Sequence, residues 1–408
     1  MRDTRIAVIS YHTCPLSDEA GTETGGMNVY VLELSRALAR KGYSIDIFTR
    51  AVSPQSQRIV HVLPNLRVIH LAAGEEKSVD KRELWQILPE FCTNLLSFIQ
   101  EEHRQYNLIS CHYYYSGIVG LALRDRLHIP MTITFHTLAL MKNLVARDEA
   151  EMEKSKRIVA EMNLVKKADR VIATSSHDAL YLQTLYDCPK KKISVIPPGV
   201  ATDIFTPMSE QRAKIYVHAD PRQKLLLFVG RIEPLKGIDV LLYALKILLE
   251  KKPDLQLCLW IVGNHTPRFK KEMEWLEEVR KLLHITTVVQ FVGNKKREDL
   301  PYYYNASDIV VLPSNYESFG MTALEALSCG TPVITTDVTG ISGMLDKKHE
   351  AMITSAGNPL LLARRIKHFL ENCTDKPHMT QELRAHVLDF RWENSAEKFI
   401  AMLGQIPG

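Results

Sequence analysis

The chain has 408 residues, 46% hydrophobic and 24% charged, which exceeds one ordinary core of about 100–200 residues and excludes disordered, collagen-like and coiled-coil classes. With 51 basic against 47 acidic residues, a formal net charge of +4 is too balanced for a dedicated nucleic-acid binder and leaves room for a small anionic ligand. The seven cysteines are dispersed and never spaced C-x-x-C, which fits a reducing cytoplasm better than a disulfide framework or a zinc knuckle.

Short apolar runs followed by helical patterns then recur along the chain. The first series is Ile6–Ile9, Ser44–Phe48, Leu66–His70, Leu108–Cys111, Met131–Phe135, Arg170–Ala173 and Ile193–Ile196. Ile6–Ile9 is too short for the apolar core of a secretory signal, and no run reaches the roughly 18 residues of a membrane span. A second series runs through Lys224–Val229, Leu255–Val262, Val288–Val292, Asp308–Leu312, Pro332–Thr335 and Ala351–Thr354. Strands alternating with helices imply parallel, doubly wound sheets, here written twice. Pro197–Pro207, rich in proline and with Gly199, suits a connection, and Trp392–Leu403 reads as a terminal amphipathic helix. The predicted architecture is α/β: a Rossmann-like lobe of residues 1–200, joined by the returning helix 391–408, facing a second Rossmann-like lobe of residues 201–390 across a cleft. Ligands of open α/β sheets bind at the carboxyl ends of the strands, so that cleft is the default site.

Three segments carry chemistry. Gly21-Thr22-Glu23-Thr24-Gly25-Gly26-Met27-Asn28-Val29-Tyr30 follows the first strand and precedes a helix, but lacks the spacing of a dinucleotide fingerprint. By itself it is as well explained by a flexible turn. Phe228-Val229-Gly230-Arg231-Ile232-Glu233-Pro234-Leu235-Lys236-Gly237 is a strand end before a helix start, where Arg231 and Lys236 together can neutralise a diphosphate. Its glycine–lysine spacing is not that of a Walker loop. Asn315–Ala326 places Glu317 on a loop that enters a helix near Gly320, whose amides and dipole favour a phosphate. Glu325 lies about one and a half turns further in, where a carboxylate can accept from two sugar hydroxyls.

The run Glu-Ser-Phe-Gly-Met-Thr-Ala-Leu-Glu-Ala, with glutamates at 317 and 325, resembles the signature of retaining glycosyltransferases of family 4. That resemblance implies the two-lobed B-type glycosyltransferase fold, with Glu317 on the donor sugar and Glu325 on the nucleotide ribose. Gly-Gly-Met-Asn-Val-Tyr further resembles the loop of the mycothiol-type D-inositol-3-phosphate glycosyltransferases, which implies that Gly26 meets donor phosphate and Asn28 meets acceptor. His112–Gly117 and Phe135–Ala139 are similar to two more elements of that family, which uses the histidine corresponding to His136 close to the donor sugar. Lys81, Tyr113, Thr137 and Arg157 fall where these enzymes hold the acceptor phosphate. Tyr114, Glu161-Met162-Asn163 and Glu350-Ala351-Met352-Ile353 depart from the family pattern, and they bear on the acceptor rather than the donor.

The resemblance implies retaining transfer of a hexose from a nucleotide sugar, UDP-GlcNAc or UDP-glucose, to a small phosphorylated or hydroxylated acceptor such as inositol phosphate or a hexose phosphate. In the family's front-face route the departing diphosphate helps deprotonate the acceptor. Arg231, Lys236 and the amides of Gly320, Met321 and Thr322 then stabilise the leaving group, while Glu317 and His136 position the sugar. No cofactor is required and no metal site is expected; no Asp-x-Asp element stands out, and Mg2+ is compatible but not implied. The alternatives are a nucleotide-sugar 2-epimerase on the same fold and a non-catalytic nucleotide-sugar-binding protein. A cytoplasmic monomer or homodimer is expected, whose lobes close about Pro197–Pro207 on the donor. The basic clusters Lys190–Lys192, Lys251–Lys252 and Lys295–Arg297 read as solvated loop ends, with peripheral contact to an anionic membrane as the minority reading.

Overall fold

A computed structural model describes residues 4–16, 25–77, 79–80, 83–266, 269–338, 340–343, 345, 352–372 and 376–406. The chain divides into two units: residues Met1–Leu144, Asp148–Pro198 and Trp392–Gly408 form the first, and Val145–Arg147 with Gly199–Arg391 the second.

The first unit is built on eight strands: β1 (Arg5–Ile9), β2 (Ser44–Arg50), β3 (Ile59–Leu63), β4 (Leu66–Leu71), β5 (Leu108–His112), β6 (Met131–Thr134), β7 (Arg170–Ala173) and β8 (Ile193–Val195). Their order is β3-β4-β2-β1-β5-β6-β7-β8, parallel throughout except for the β3–β4 pair. The second unit carries β9 (Lys224–Val229), β10 (Leu257–Val262), β11 (Val289–Gly293), β12 (Ile309–Leu312), β13 (Val333–Thr336) and β14 (Ile353–Thr354). This all-parallel sheet has the order β11-β10-β9-β12-β13-β14. Helices cover both faces of such sheets, which is why β1, β5 and β9 read as unbroken apolar runs with almost every residue buried. In each sheet the winding reverses beside the first strand, between β1 and β5 and between β9 and β12. Those reversals open a crevice at the carboxyl ends of the strands.

β3 corrects the strand series expected from sequence. It is a half-exposed edge strand, antiparallel to β4 and interrupted by a register shift between His61 and Leu63. Such a strand lacks the continuous apolar signature of its parallel neighbours.

The helix Gly26–Arg40 follows β1 and buries Tyr30, Val31, Leu34, Ala37 and Leu38. The terminal helix Trp392–Leu403 packs on it within the first unit. There the Trp392 ring meets Tyr30 edge-on at 5.7 Å, Ser395 Oγ donates to the Pro197 carbonyl at 2.7 Å, and Lys41 pairs with Glu397 at 2.8 Å. In the second unit Val200 bridges in parallel to Arg391, with Val200 N–H donating to the Phe390 carbonyl at 2.8 Å. The start and the end of the Gly199–Arg391 segment therefore lie side by side in the second unit.

The carboxyl ends of β9 and β10 approach so closely that a Cβ on Gly263 would lie 1.8 Å from the Gly230 carbonyl oxygen, and Gly263 sits at φ +146°. Gly263→Ala is expected to destabilise the second unit by about 2–4 kcal/mol, a value that urea unfolding of the pure variant would check. Unfolding at the wild-type midpoint would show that the two loops separate freely.

Candidate active site

The donor-side residues assemble at the β9/β12 crevice of the second unit. After β9 the chain turns through a 3-10 segment, Pro234–Lys236, into the helix Ile238–Lys251. Gly237 has φ +62°, and a Cβ there would lie 2.2 Å from the Pro313 carbonyl oxygen, so only glycine lets the turn sit against the loop after β12. Asn315 N–H donates to the Leu235 carbonyl at 2.8 Å and fastens the two loops. This brings Lys236 Nζ onto Glu317 Oε2 as an ion pair, both side chains mostly buried. Arg231 Nη2 bonds Glu233 Oε1 at 3.1 Å and keeps 41% of its side chain exposed, so its guanidinium remains accessible to a ligand.

Gly320, at φ +100°, caps the helix Met321–Ser328 without any side-chain bond, and no acidic residue lies in the first turn. Its carbonyl already accepts from Ala323 and Leu324 at 2.9 and 3.4 Å. The amides of Met321 and Thr322 have no acceptor inside the helix and point along the positive end of its dipole. Four of the expected donor residues, Lys236, Glu317, Met321 and Thr322, thus stand around one loop junction. Glu325 lies deeper in the same helix. It is buried, and Tyr304 Oη donates to its Oε2 at 2.8 Å. Burial pushes its carboxyl upward, opposed by Arg297 and by the Tyr304 hydrogen bond. Tyr304, from the helix Leu300–Ala306, was not anticipated from sequence.

In the first unit, the expected residues lie at the carboxyl ends of β5 and β6. His112 ends β5, and its Nδ1 lies 2.9 Å from Nε2 of His136, which follows β6. The rings stack at 27°, and Tyr30 meets His136 edge-on at 5.2 Å. Burial lowers the pKa of both, His112 to about 3 and His136 well below its ordinary value, with His112 and His12 also opposing charge on His136. The pair is therefore neutral at physiological pH and shares one proton-donor bond. Tyr113 and His136 both have positive φ, +77° and +60°, which non-glycine residues adopt at a cost of about 1–3 kcal/mol each. Strain at neighbouring strand ends is common where a site is over-determined by its surroundings.

Arg157 is buried at 3% exposure. Its Nε bonds Glu161 Oε1 at 2.7 Å, Nη1 pairs with Glu153 Oε1 at 3.0 Å, and Nη2 donates to the Thr137 carbonyl and hydroxyl at 2.8 and 3.1 Å. The guanidinium also lies 4.8 Å from the Tyr113 ring centre. Burial opposes its charge, but Tyr113, Glu161 and Glu153 more than offset this and raise its pKa well above the usual value. Glu161 is fully buried and also accepts from the Ala139 amide and the Tyr186 hydroxyl. Glu153, Arg157 and Glu161 are spaced four apart, a helical ion-pair signal that could have been read from sequence. Asn28 is likewise engaged: its Nδ2 donates to the Cys14 carbonyl at 3.0 Å and its Oδ1 accepts from Thr13 at 3.1 Å. Gly26 opens the helix it predicts. Lys81 and residues 21–24 of the glycine-rich loop lie outside the described residues.

The neutral histidine pair makes the first unit acid-sensitive. The unfolded chain protonates these imidazoles near pH 6.5 and the fold refuses the protons, down to about pH 3 for His112. Stability present above pH 6.5 is then lost on acidification, at about 1.4 kcal/mol per pH unit for each proton withheld. Denaturant unfolding at pH 7.5 and pH 5, with His112→Asn as control, should show the wild type losing more than the variant. Equal losses would mean that the pair takes up a proton while folded.

Residues 24–204 match the family Glycosyltransferase Family 4, and residues 210–385 match Glycosyl transferases group 1. A D-inositol 3-phosphate glycosyltransferase of Corynebacterium jeikeium is 36% identical over 99% of this chain and 97% of its own. This chain belongs to the group 1 glycosyltransferases. Its full-length relatives place it on their mycothiol-type branch, and another such glycosyltransferase, from Rhodococcus erythropolis, is 34% identical over 97% of this chain and 90% of its own. Among solved structures, sucrose-phosphate synthase of Thermosynechococcus elongatus is 29% identical with a TM-score of 0.89, covering 98% of each chain. Anabaena HepE in complex with UDP and glucose has a TM-score of 0.76 at 18% identity, covering 98% of this chain and 100% of its own, and shares the fold. The glycosyltransferase thus has the B-type fold, and no helix among its described residues is long and apolar enough to cross a membrane.

Proposed function

We propose that this glycosyltransferase moves a hexose, with retention, from a UDP-sugar to a small phosphorylated acceptor such as inositol phosphate. The observation that carries this reading is the Lys236–Glu317 pair beside the uncapped start of the helix Met321–Ser328. Relatives named D-inositol 3-phosphate glycosyltransferase support the acceptor, and HepE, solved with UDP-glucose, supports the donor.

Charge develops on the departing diphosphate, and groups already fixed around it stabilise that charge without reorganising. Arg231, Lys236 and the amides of Met321 and Thr322 supply this. Glu317 accepts from sugar hydroxyls, and its bond to Lys236 holds it in place. Glu325, steadied by Tyr304, accepts from the ribose. The neutral His136 presents a hydrogen-bonding nitrogen to the sugar rather than a second positive charge. Tyr113, Thr137, Asn28 and Lys81 meet the acceptor, and Arg157 reaches its phosphate by exchanging Glu153 for it. These cations and helix amides balance the diphosphate, so the reaction asks for no cofactor. None of the six described cysteines lies in a disulfide, in keeping with a cytoplasmic enzyme.

The test is a panel of UDP-, GDP- and ADP-sugars with inositol phosphate, hexose phosphates or no acceptor, read by nucleotide release and by the anomeric proton of the product. Transfer from a UDP-sugar with retained configuration, unchanged by a chelator, is expected. Conversion of the donor to its 2-epimer without acceptor would replace this reading with an epimerase. Nucleotide-sugar binding without turnover would leave a binding protein.

A further inference from the structure

The turn after β1 holds a cysteine and a base in contact. Ser10 Oγ donates to the Thr13 carbonyl at 2.8 Å, and Asn28 ties Thr13 and Cys14 to the first turn of the helix Gly26–Arg40. Cys14 Sγ lies 3.2 Å from Nε2 of His70, near the end of β4, and the Leu16 amide donates to the same sulfur at 3.4 Å. The other nitrogen of His70, Nδ1, is 2.7 Å from the Gln57 carbonyl oxygen. A carbonyl oxygen only accepts, so Nδ1 carries the hydrogen and Nε2 presents its lone pair to the Cys14 thiol. A nucleophile, a base within hydrogen-bond reach and a third group that orients the base form the arrangement that activates thiols. Burial lowers the pKa of His70, opposed by its hydrogen bond to Gln57, so the ring is neutral and Nε2 bears no proton before the thiol gives one up.

The other described cysteines provide a contrast within the same molecule. Burial pushes the thiols of Cys92, Cys188 and Cys258 up to about 11, and those of Cys111 and Cys329 higher still. Cys258 Sγ donates to the Lys224 carbonyl at 3.6 Å, a contact that keeps the proton on sulfur. Among the described residues, only Cys14 has its sulfur against an imidazole nitrogen.

We propose that Cys14, with His70 as its base, is a site of reversible thiol–disulfide exchange with a low-molecular-weight disulfide. The Cys14 proton passes to His70 Nε2, and the thiolate attacks one sulfur of the disulfide. A bond forms between Cys14 Sγ and that sulfur as the original sulfur–sulfur bond breaks, and the departing thiolate takes the proton from His70. Cys14 is only 7% exposed, so the reagent must be small and its substituent must displace the His70 and Leu16 contacts. The strain passes through the Cys14 carbonyl to Asn28 and loosens the start of the helix Gly26–Arg40. This inference does not rest on the transfer reaction.

The experiment treats the intact protein with 2-hydroxyethyl disulfide and follows each cysteine by peptide mass mapping. Cys14 is expected to react at least about tenfold faster than the more exposed Cys92, and His70→Gln to slow Cys14 by at least about tenfold while leaving Cys92 unchanged. A thiol reductant should restore the mass, and amide exchange at residues 26–31 should rise in the modified protein. Reaction of Cys14 no faster than Cys92 overturns the proposal, a comparison that needs no variant. So does an unchanged Cys14 rate in a His70→Gln protein that melts like wild type.

Discussion

Alanine at Lys236 is expected to lower turnover by about ten- to a thousandfold, and alanine at Arg231 to do the same, because each removes a cation from beside the leaving group. The melting temperature should barely move. Arg231 is substantially exposed, and the Lys236–Glu317 pair keeps part of each side chain in water, so neither contact contributes more than about 1 kcal/mol to folding. The pair adds a second test. If Lys236 acts partly by holding Glu317, then Lys236→Ala and Glu317→Gln are coupled, and the double variant should be little slower than the worse single one. Steady-state rates on the four proteins decide this. Turnover close to wild type for both Arg231→Ala and Lys236→Ala would remove the leaving group from this end of the sheet.

Glu325→Gln is expected to raise the donor Michaelis constant by about ten- to a hundredfold with a smaller change in turnover, since the ribose contact is made equally before and during the reaction. Glu317→Ala should show the reverse, with turnover falling first. The same Glu325 substitution should stabilise the protein. Burial raises the folded carboxyl pKa above its ordinary 4.5, with Arg297 and Tyr304 opposing. A group raised in this way contributes stability that is fully present below about pH 4.5 and lost as pH rises through its folded value. At neutral pH the buried charge is therefore a cost, which glutamine avoids while still bonding the Tyr304 hydroxyl. A gain of about 1 kcal/mol corresponds to a melting rise of a few degrees, shrinking as pH falls towards 4.5 and gone below it. An unchanged Michaelis constant, or a lower melting temperature at pH 7, would show that Glu325 serves the fold instead.

Much of this was legible before any coordinates. The parallel strands announce themselves because both faces are buried, so Lys224–Val229 and Arg170–Ala173 coincide with β9 and β7 residue for residue. β3 escaped because an edge strand with exposed His61 shows neither an unbroken apolar run nor clean alternation. On the donor side, Glu317, Gly320 and Glu325 lie within nine residues, so local spacing conveys their arrangement. The contacts that define the first unit are long-range. His112 and His136 are 24 residues apart, and Glu161 meets Tyr186 across 25. Only the register of β5 on β6 brings the histidines together, and no local pattern encodes it. Arg157 is the instructive intermediate case, since its family position suggested a phosphate ligand while the carboxylates that hold it stand four residues to either side, Glu153 just before its helix and Glu161 within it.

The outermost strands bear on how copies of this enzyme behave when crowded. β3 is bent by its register shift, β8 has three residues and follows the lysines 190–192, and β14 has two. β11 ends at Gly293, just before Lys295, Lys296 and Arg297. Each rim that could recruit a foreign strand is thus too short, too bent or too positively charged to template one. Concentrated native enzyme should stay dispersed, and turbidity on heating should begin only once a unit has unfolded. Light scattering recorded alongside circular dichroism would then serve as a report on unfolding rather than on association of intact molecules.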